Sequence, residues 1–139
     1  MKVINNDSRI HIIRLDKDDE LIKCVTDYAT THSLMAGSIN AIGSAKKITL
    51  SFFNFEKHEF EDHYLSENLE IVSLNGNLAM LDEKLTIHIH GTFSKNDLSV
   101  IGGHVKELVI SATCEVLLIP LEVKLLRAKD DMTGLNLLQ

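Results

Sequence analysis

The sequence has 139 residues, the length of one domain, and 45% of them are hydrophobic, which is enough to form a core without disulfide or metal cross-links. Fourteen basic and twenty acidic residues give a net charge of −6, which disfavours nucleic-acid binding by the chain as a whole because phosphate is repelled. The two cysteines are isolated, and neither a signal peptide nor an apolar stretch of membrane-spanning length (roughly 20 residues) is present, so we expect one cytoplasmic domain over residues 1–139 that does not enter a membrane.

The first predicted elements are a strand and a helix. Residues 10–15 are mostly apolar and predict a strand in which His11 lies at the rim. Residues 16–20 suit the start of a helix, because their carboxylates can accept hydrogen bonds from free backbone N–H groups and interact favourably with the helix dipole. A helix of about 15 residues follows and ends before Gly37. Its apolar stripe has helical spacing: Leu21, Cys24, Val25, Tyr28 and Ala29.

The rest of the chain has the pattern of β-strands. Strands are predicted over residues 38–45, 48–55, 69–81, 84–93, 98–105 and 109–119, with a charged hairpin rim over 56–63. Gly43 predicts a bulge or a close backbone approach, and Asn75-Gly76 a break in the strand over 69–81. Pro120 predicts the end of the strand over 109–119 or a bend in it. The predicted class is α+β, with one main helix packed on a mostly antiparallel and strongly curved sheet.

Two histidines share the polar face of one predicted strand. Apolar and polar residues alternate between positions 85 and 93, and His88 and His90 are both on the polar side. A hairpin that turns near Asn96 predicts His104 opposite His88, with Cβ atoms roughly 5 Å apart. Residues two apart on a strand are separated by roughly 6.6 Å, so the three imidazoles can converge on one metal ion.

Three imidazoles are ligands for zinc or another divalent metal such as copper, iron or nickel, and they leave a coordination position open for water or a substrate. Sequence neighbourhood predicts three hydrogen-bond partners for the rings: Glu70, Ser73 and Asn75. The alternative is a set of three solvated histidines on the outer face of a hairpin. A cupin-type site would need a glutamate four or five residues after His90, where the chain has Ser94 and Lys95.

A combination of three motifs resembles a known family. Residues 70–77 have the sequence Glu-Ile-Val-Ser-Leu-Asn-Gly-Asn, and they are followed by His88-Ile89-His90 and by Gly102-Gly103-His104. Two further pieces carry the same resemblance: Gly43 and the closing Thr133-Gly134-Leu135. Over most of its length, from about residue 9, the chain is similar to the plants-and-prokaryotes conserved domain, or PPC domain.

The resemblance implies a compact α+β fold with an antiparallel sheet, assembled as a homotrimer. It also implies that His88, His90 and His104 meet in a polar pocket near the subunit boundary and, as in some members, hold a metal that is commonly zinc. Two features depart from the family pattern. Residues 17–20 replace a Gly-Glu pair before the first helix, and the AT-hook of plant members is absent, which weakens the transfer of the family's DNA-binding role.

Two functions from different classes follow. The first, which we favour, is a stand-alone PPC-domain protein that acts as a DNA-binding or transcription-regulatory module, a homotrimer with a three-histidine metal site. Its partners would be DNA, another protein or a small-molecule ligand. The alternative is a zinc-dependent hydrolase or lyase that acts on a small polar metabolite, with Glu70 as the general base.

Overall fold

The computed structural model describes all residues 1–139, which form nine strands and one helix. The elements in chain order are β1 (Lys2–Asn6), β2 (His11–Asp16), α1 (Leu21–Thr31), β3 (Gly37–Asn54), β4 (Glu59–Leu65), β5 (Leu69–Leu81), β6 (Lys84–Ser94), β7 (Val100–Pro120), β8 (Leu126–Lys129) and β9 (Asn136–Leu138). A mostly β structure with a single helix confirms the predicted composition of the fold.

Four strands close into a ring. Strand β3 pairs with β5, β5 with β6, β6 with β7, and β7 returns to β3, each time antiparallel. The hairpin of β1 and β2 extends the sheet from β7, and β4 extends it from β3. The pairing of β8 with β5 is parallel, so the sheet is mixed rather than purely antiparallel. Closure of the ring buries the apolar side chains that alternate along its strands.

Two pairs of predicted strands are single long strands in the structure. Strand β3 runs without interruption through Lys46-Lys47, and β7 joins the predicted strands on either side of Lys106. Both long strands change register where they pair with each other, and a shift also occurs between Ala41 and Gly43 where β3 pairs with β5. The predicted bulge at Gly43 is therefore confirmed.

The predicted break at Asn75-Gly76 is wrong, because β5 passes through both residues. A Cβ atom on Gly76 would lie only 2.2 Å from the carbonyl oxygen of His88 on β6. The glycine allows the two strands to approach closely, one of the roles that a glycine in a strand interior commonly has.

Helix α1 covers one side of the sheet and is shorter than predicted, at 11 residues. The Glu20 carboxylate caps it by accepting hydrogen bonds from the backbone N–H groups of Ile22 and Lys23. The helix ends before Ser33, whose positive φ of 55° is typical of a residue that terminates a helix. Neither its length nor its hydropathy would let α1 cross a lipid bilayer.

His11 is buried rather than placed at the rim as predicted. Its Nδ1 atom lies 2.8 Å from the hydroxyl oxygen of Tyr28 on α1, and the His32 ring stacks on the Tyr28 ring with centroids 4.0 Å apart. The polar contact with Tyr28 explains how a histidine can occupy a buried position in an otherwise apolar strand.

Candidate metal centre

Strand β6 places His88 and His90 on the face opposite the core. Ile89 and Phe93 are fully buried on the other face, and Gly91 lies between them in the same alternation. His88 is half-buried and His90 is exposed. The predicted assignment of the two histidines to one polar face is therefore confirmed.

Strand β7 brings His104 to the same face, although the predicted pairing is wrong. His104 pairs with His90 rather than with His88, because Ser94 pairs with Val100 and the turn between them is centred later than predicted. The difference is a shift of two residues. Such a shift changes the neighbour and keeps the face, since side chains alternate with a period of two. All three imidazoles consequently lie together.

The three rings form a compact group. Their centroids are 5.0 Å apart for His88 and His90, 5.0 Å for His88 and His104, and 5.4 Å for His90 and His104. One ligand nitrogen from each ring lies within 4.8 Å of the others, and the Nε2 atoms of His88 and His90 are 3.2 Å apart. Two nitrogens on a tetrahedral zinc ion are about 3.3 Å apart, given Zn–N bonds of about 2.05 Å. The group could hold a metal ion.

A guanidinium group lies beside His88. Arg127, on β8, has its Nη2 atom 3.2 Å from Nδ1 of His88 and donates from the same atom to Oδ1 of Asn77 at 2.8 Å. Asn77 is the residue of β5 that pairs with His88. Burial, followed by the charge of Arg127, lowers the pKa of His88 to about 4, so the imidazole is neutral at pH 7 and has a lone pair for a metal.

The surroundings of His104 are aromatic and charged. The Phe60 ring lies 5.3 Å from the His104 ring, and the Lys106 ammonium lies 5.0 Å from the centre of the Phe60 ring. Asp62 accepts hydrogen bonds from Lys106 at 2.8 Å and from the Ser51 hydroxyl at 2.6 Å. Burial, followed by the charge of His90, lowers the pKa of His104, which also favours its neutral form.

The structure does not bring Glu70 to the histidines. Glu70 pairs with Ser94, roughly 13 Å along β6 from His90 at about 3.3 Å per residue. It lines a separate polar cleft with Lys95 and Asn96. Within one chain, Glu70 is therefore too far from the three histidines to contact a metal that they hold.

The other two predicted hydrogen-bond partners do not bond to the rings either. Asn75 pairs with His90 across β5 and β6. Its side-chain amide is used elsewhere, since it accepts from Asn40 at 2.6 Å and donates to the Ser73 hydroxyl at 2.6 Å. The Asn75 side chain thus bonds to Asn40 and to Ser73 instead of to a histidine ring.

Sequence reasoning missed Arg127, Asn77 and Asp62. Asn77 is part of the quoted motif, and the correct register of β5 and β6 would have placed it opposite His88. Arg127 reaches the site through the parallel pairing of β8 with β5, and no local sequence pattern predicts that pairing. Asp62 lies in the acidic segment that was interpreted as a hairpin rim, on the edge strand β4.

Comparison with solved structures identifies close matches over the whole chain. A metal-containing protein from Archaeoglobus fulgidus is 33% identical, with a TM-score of 0.89, and the alignment covers 100% of this chain and 99% of that one. A candidate DNA-binding protein from Bacteroides thetaiotaomicron is 25% identical, with a TM-score of 0.94 and coverage of 99% and 96%.

A curated relative matches in sequence. The bifunctional protein GlmU of Synechococcus sp. (strain JA-3-3Ab) is 30% identical over 129 residues, 91% of this chain. The chain spans only 20% of the length of that relative.

The sequence profile of the Plants and Prokaryotes Conserved domain, abbreviated PCC or PPC, matches residues 4–122. The match covers the ring of four strands, the helix and all three histidines. The chain belongs to the Plants and Prokaryotes Conserved domain family.

Proposed function

We propose that the chain is a homotrimeric regulatory module in which His88, His90 and His104 hold a zinc ion. The observation that carries this proposal is the convergence of three imidazole nitrogens within 4.8 Å on one face of the ring. The metal-containing relative from Archaeoglobus fulgidus, 33% identical over the full length, supports it.

The ligand set favours zinc with one open position. Three neutral imidazoles suit zinc among the divalent metals, and a site with three protein ligands accepts water or an exogenous ligand in the fourth position. When bound, zinc would attract and polarise an oxygen atom of that ligand. Arg127, itself bonded to Asn77, lies beside His88, and the Phe60 ring lies beside His104.

Elemental analysis of tag-free protein tests the metal. We expect about one zinc ion per chain, loss of the metal in His90→Ala, and retention in His58→Asn. His58 is an exposed turn residue with a φ of 53°, and asparagine tolerates such a conformation, so this variant is a matched control. Fewer than about 0.2 metal ions per chain in the wild-type protein, unchanged by added zinc, would overturn the proposal.

An exposed group of aromatic residues supports self-association. The aromatic patch, as we call it, consists of Phe53, Phe55 and Phe60 of the β3–β4 hairpin. The Phe53 ring contacts the rings of Phe55 and Phe60, with centroids 5.0 and 5.1 Å apart. Phe55 is 65% exposed, and Phe60 connects the patch to His104. Aromatic residues of this kind are enriched at protein interfaces, so we propose that a neighbouring subunit covers the patch beside the metal centre. Three-fold symmetry is proposed on the family resemblance.

DNA is the first macromolecular partner to test. The proposal follows the description of the Bacteroides thetaiotaomicron relative as a candidate DNA-binding protein, and the net charge of −6 acts against it. Fluorescence anisotropy with duplex DNA decides the matter. Binding through phosphates would weaken steeply as salt rises, whereas no binding at about 50 mM salt would remove DNA as a partner.

The open coordination position also favours a second candidate, a zinc-dependent hydrolase or lyase that acts on a small polar metabolite. Such chemistry needs a carboxylate base, and Asp62, whose negative charge acts on His104, is better placed than Glu70. We expect activity against a metabolite panel to vanish in His90→Ala and to fall in Asp62→Asn. Full activity in His90→Ala would exclude this function.

A further inference from the structure

The two Nη atoms of the Arg127 guanidinium make the contacts that hold this side chain beside the histidines. Its Nη1 atom donates to the carbonyl oxygen of Asn136 at 2.9 Å, and its Nη2 atom donates to Asn77 and lies 3.2 Å from Nδ1 of His88. Its Nε atom is buried and has no hydrogen-bond partner. A buried N–H group without an acceptor is costly, so this guanidinium is incompletely satisfied.

Arg127 also lacks an acidic partner, although the chain has twenty Asp and Glu residues. None of the ion pairs in the structure includes it. Lys106, the other cation near the centre, is already paired with Asp62 at 2.8 Å. The side of the centre next to His88 therefore carries an uncompensated positive charge, which a bound divalent cation would increase.

The position of protons on His88 links Arg127 to metal loading. A guanidinium can only donate, so Nδ1 of His88 accepts from it and the proton of the neutral ring lies on Nε2. Nε2 is the atom that lies 3.2 Å from Nε2 of His90. Coordination of a metal through Nε2 would move the ring proton to Nδ1, where it would face the donor Nη2. Metal loading would thus release one N–H of Nη2 from His88, while the other stays bonded to Asn77.

The released Nη2 and the unpartnered Nε lie on one edge of the guanidinium. Two parallel N–H groups on that edge match the two oxygens of a carboxylate. We propose that Arg127 is the anion-recognition residue of the centre and that the ligand is a small carboxylate held between the metal and this edge. The inference deepens the proposed function and rests on it, because the fourth coordination position is where the carboxylate would meet the metal.

Cobalt(II)-substituted protein provides the test, with sodium acetate as the probe. Cobalt absorbs visible light, and its spectrum changes when a ligand enters the coordination sphere. We expect acetate to bind saturably to the wild-type protein. In Arg127→Gln its dissociation constant should rise roughly tenfold or more, because two charge-assisted hydrogen bonds from the guanidinium to the carboxylate are lost. The control is Arg14→Gln, because Arg14 is an exposed arginine on β2 that pairs only with Asp16.

Zinc affinity in acetate-free buffer is a second measurement, made by competition with a chromophoric chelator. We expect Arg127→Gln to bind zinc several-fold more tightly, because both a positive charge and a competing donor are removed from His88. A residue that only supported the fold would have the opposite effect. Denaturant unfolding of both variants verifies that they are folded.

The outcomes separate the two proposals. Wild-type protein that binds no cobalt or zinc overturns the proposed function and this inference together. Protein that binds metal normally, with equal acetate affinity in wild type and Arg127→Gln, overturns the role of Arg127 alone. Methylphosphonate that binds more tightly than acetate, with the same dependence on Arg127, would overturn the assignment of a carboxylate as the ligand class.

Discussion

The carbonyl oxygen of His88 lies 2.2 Å from the position that a Cβ atom on Gly76 would occupy. Substitution of Gly76 by alanine would therefore force apart β5 and β6 at the residue that supplies one of the three imidazoles. We expect Gly76→Ala to lower the free energy of unfolding by about 1–3 kcal/mol, the range for overpacking, and to weaken zinc binding. Chemical denaturation and zinc titration measure the two effects. Gly103→Ala, whose added Cβ would lie 3.3 Å from the Ser51 carbonyl oxygen, should be milder.

The carboxylate of Glu20 connects the helix to the sheet. It caps α1 and also accepts a hydrogen bond from the backbone N–H of Leu108 on β7 at 3.1 Å. We expect Glu20→Ala to lower the free energy of unfolding by about 2 kcal/mol, because a cap is lost and a strand N–H is left without its acceptor. Glu20→Gln keeps an acceptor oxygen and should cost clearly less. Equal stability of Glu20→Ala and wild type in urea would contradict this role.

Buried His11 makes stability depend on pH. Burial, followed by the charge of His32, lowers the pKa of His11 in the folded state, whereas Asp7 acts in the opposite direction. The unfolded state therefore binds the proton more readily, and the free energy of unfolding falls as pH drops below about 6.5. In metal-free protein, we expect the free energy of unfolding of His11→Gln to fall less steeply than that of the wild type between pH 7 and 5. The two slopes should differ by at most about 1.4 kcal/mol per pH unit.

Zinc should stabilise the folded chain. A ligand that binds only the native state at a free concentration 100 times its dissociation constant adds about 2.7 kcal/mol to the free energy of unfolding. We expect thermal unfolding to shift upward with zinc and downward with a chelator in wild type and in His58→Asn, and not to shift in His90→Ala. The same upward shift in His90→Ala would mean that the metal binds elsewhere.

The aromatic patch gives the oligomer a specific test. We expect light scattering to measure a trimer at micromolar concentration and Phe55→Glu to shift the mass toward that of the monomer, because a charge would be buried in the interface. Met132→Glu is the control, since Met132 is 86% exposed and belongs to another part of the surface. A wild-type monomer would contradict the trimer, and an unchanged mass in Phe55→Glu would contradict this location of the interface.

The alternation of residues along β6 was sufficient to predict which face His88 and His90 share, because one face must be apolar to reach the core. The predicted strand partner of His104 was wrong by two residues. The prediction that the three histidines share one face still holds, because a shift of two residues keeps every side chain on its face.

What could not be predicted depends on contacts between distant parts of the chain. Gly76 was interpreted as a break because the close approach of His88 cannot be seen without the pairing. Arg127 was missed because it reaches His88 only through the parallel pairing of β8 with β5. Glu70 was chosen by its nearness in sequence, a criterion that takes no account of the direction of a strand.

Closure of the ring joins β3 to β7, which are far apart in the sequence. Proteins dominated by such distant pairings have a high contact order and fold slowly. The chain must lose the conformational entropy of closing a long loop before it gains the free energy of the pairing. His88, His90 and His104 all lie on the hairpin of β6 and β7, which are neighbours in the sequence and can pair before the ring closes. We therefore expect zinc to bind the hairpin before the slow closure, so that the metal accelerates folding as well as prolonging the lifetime of the finished fold.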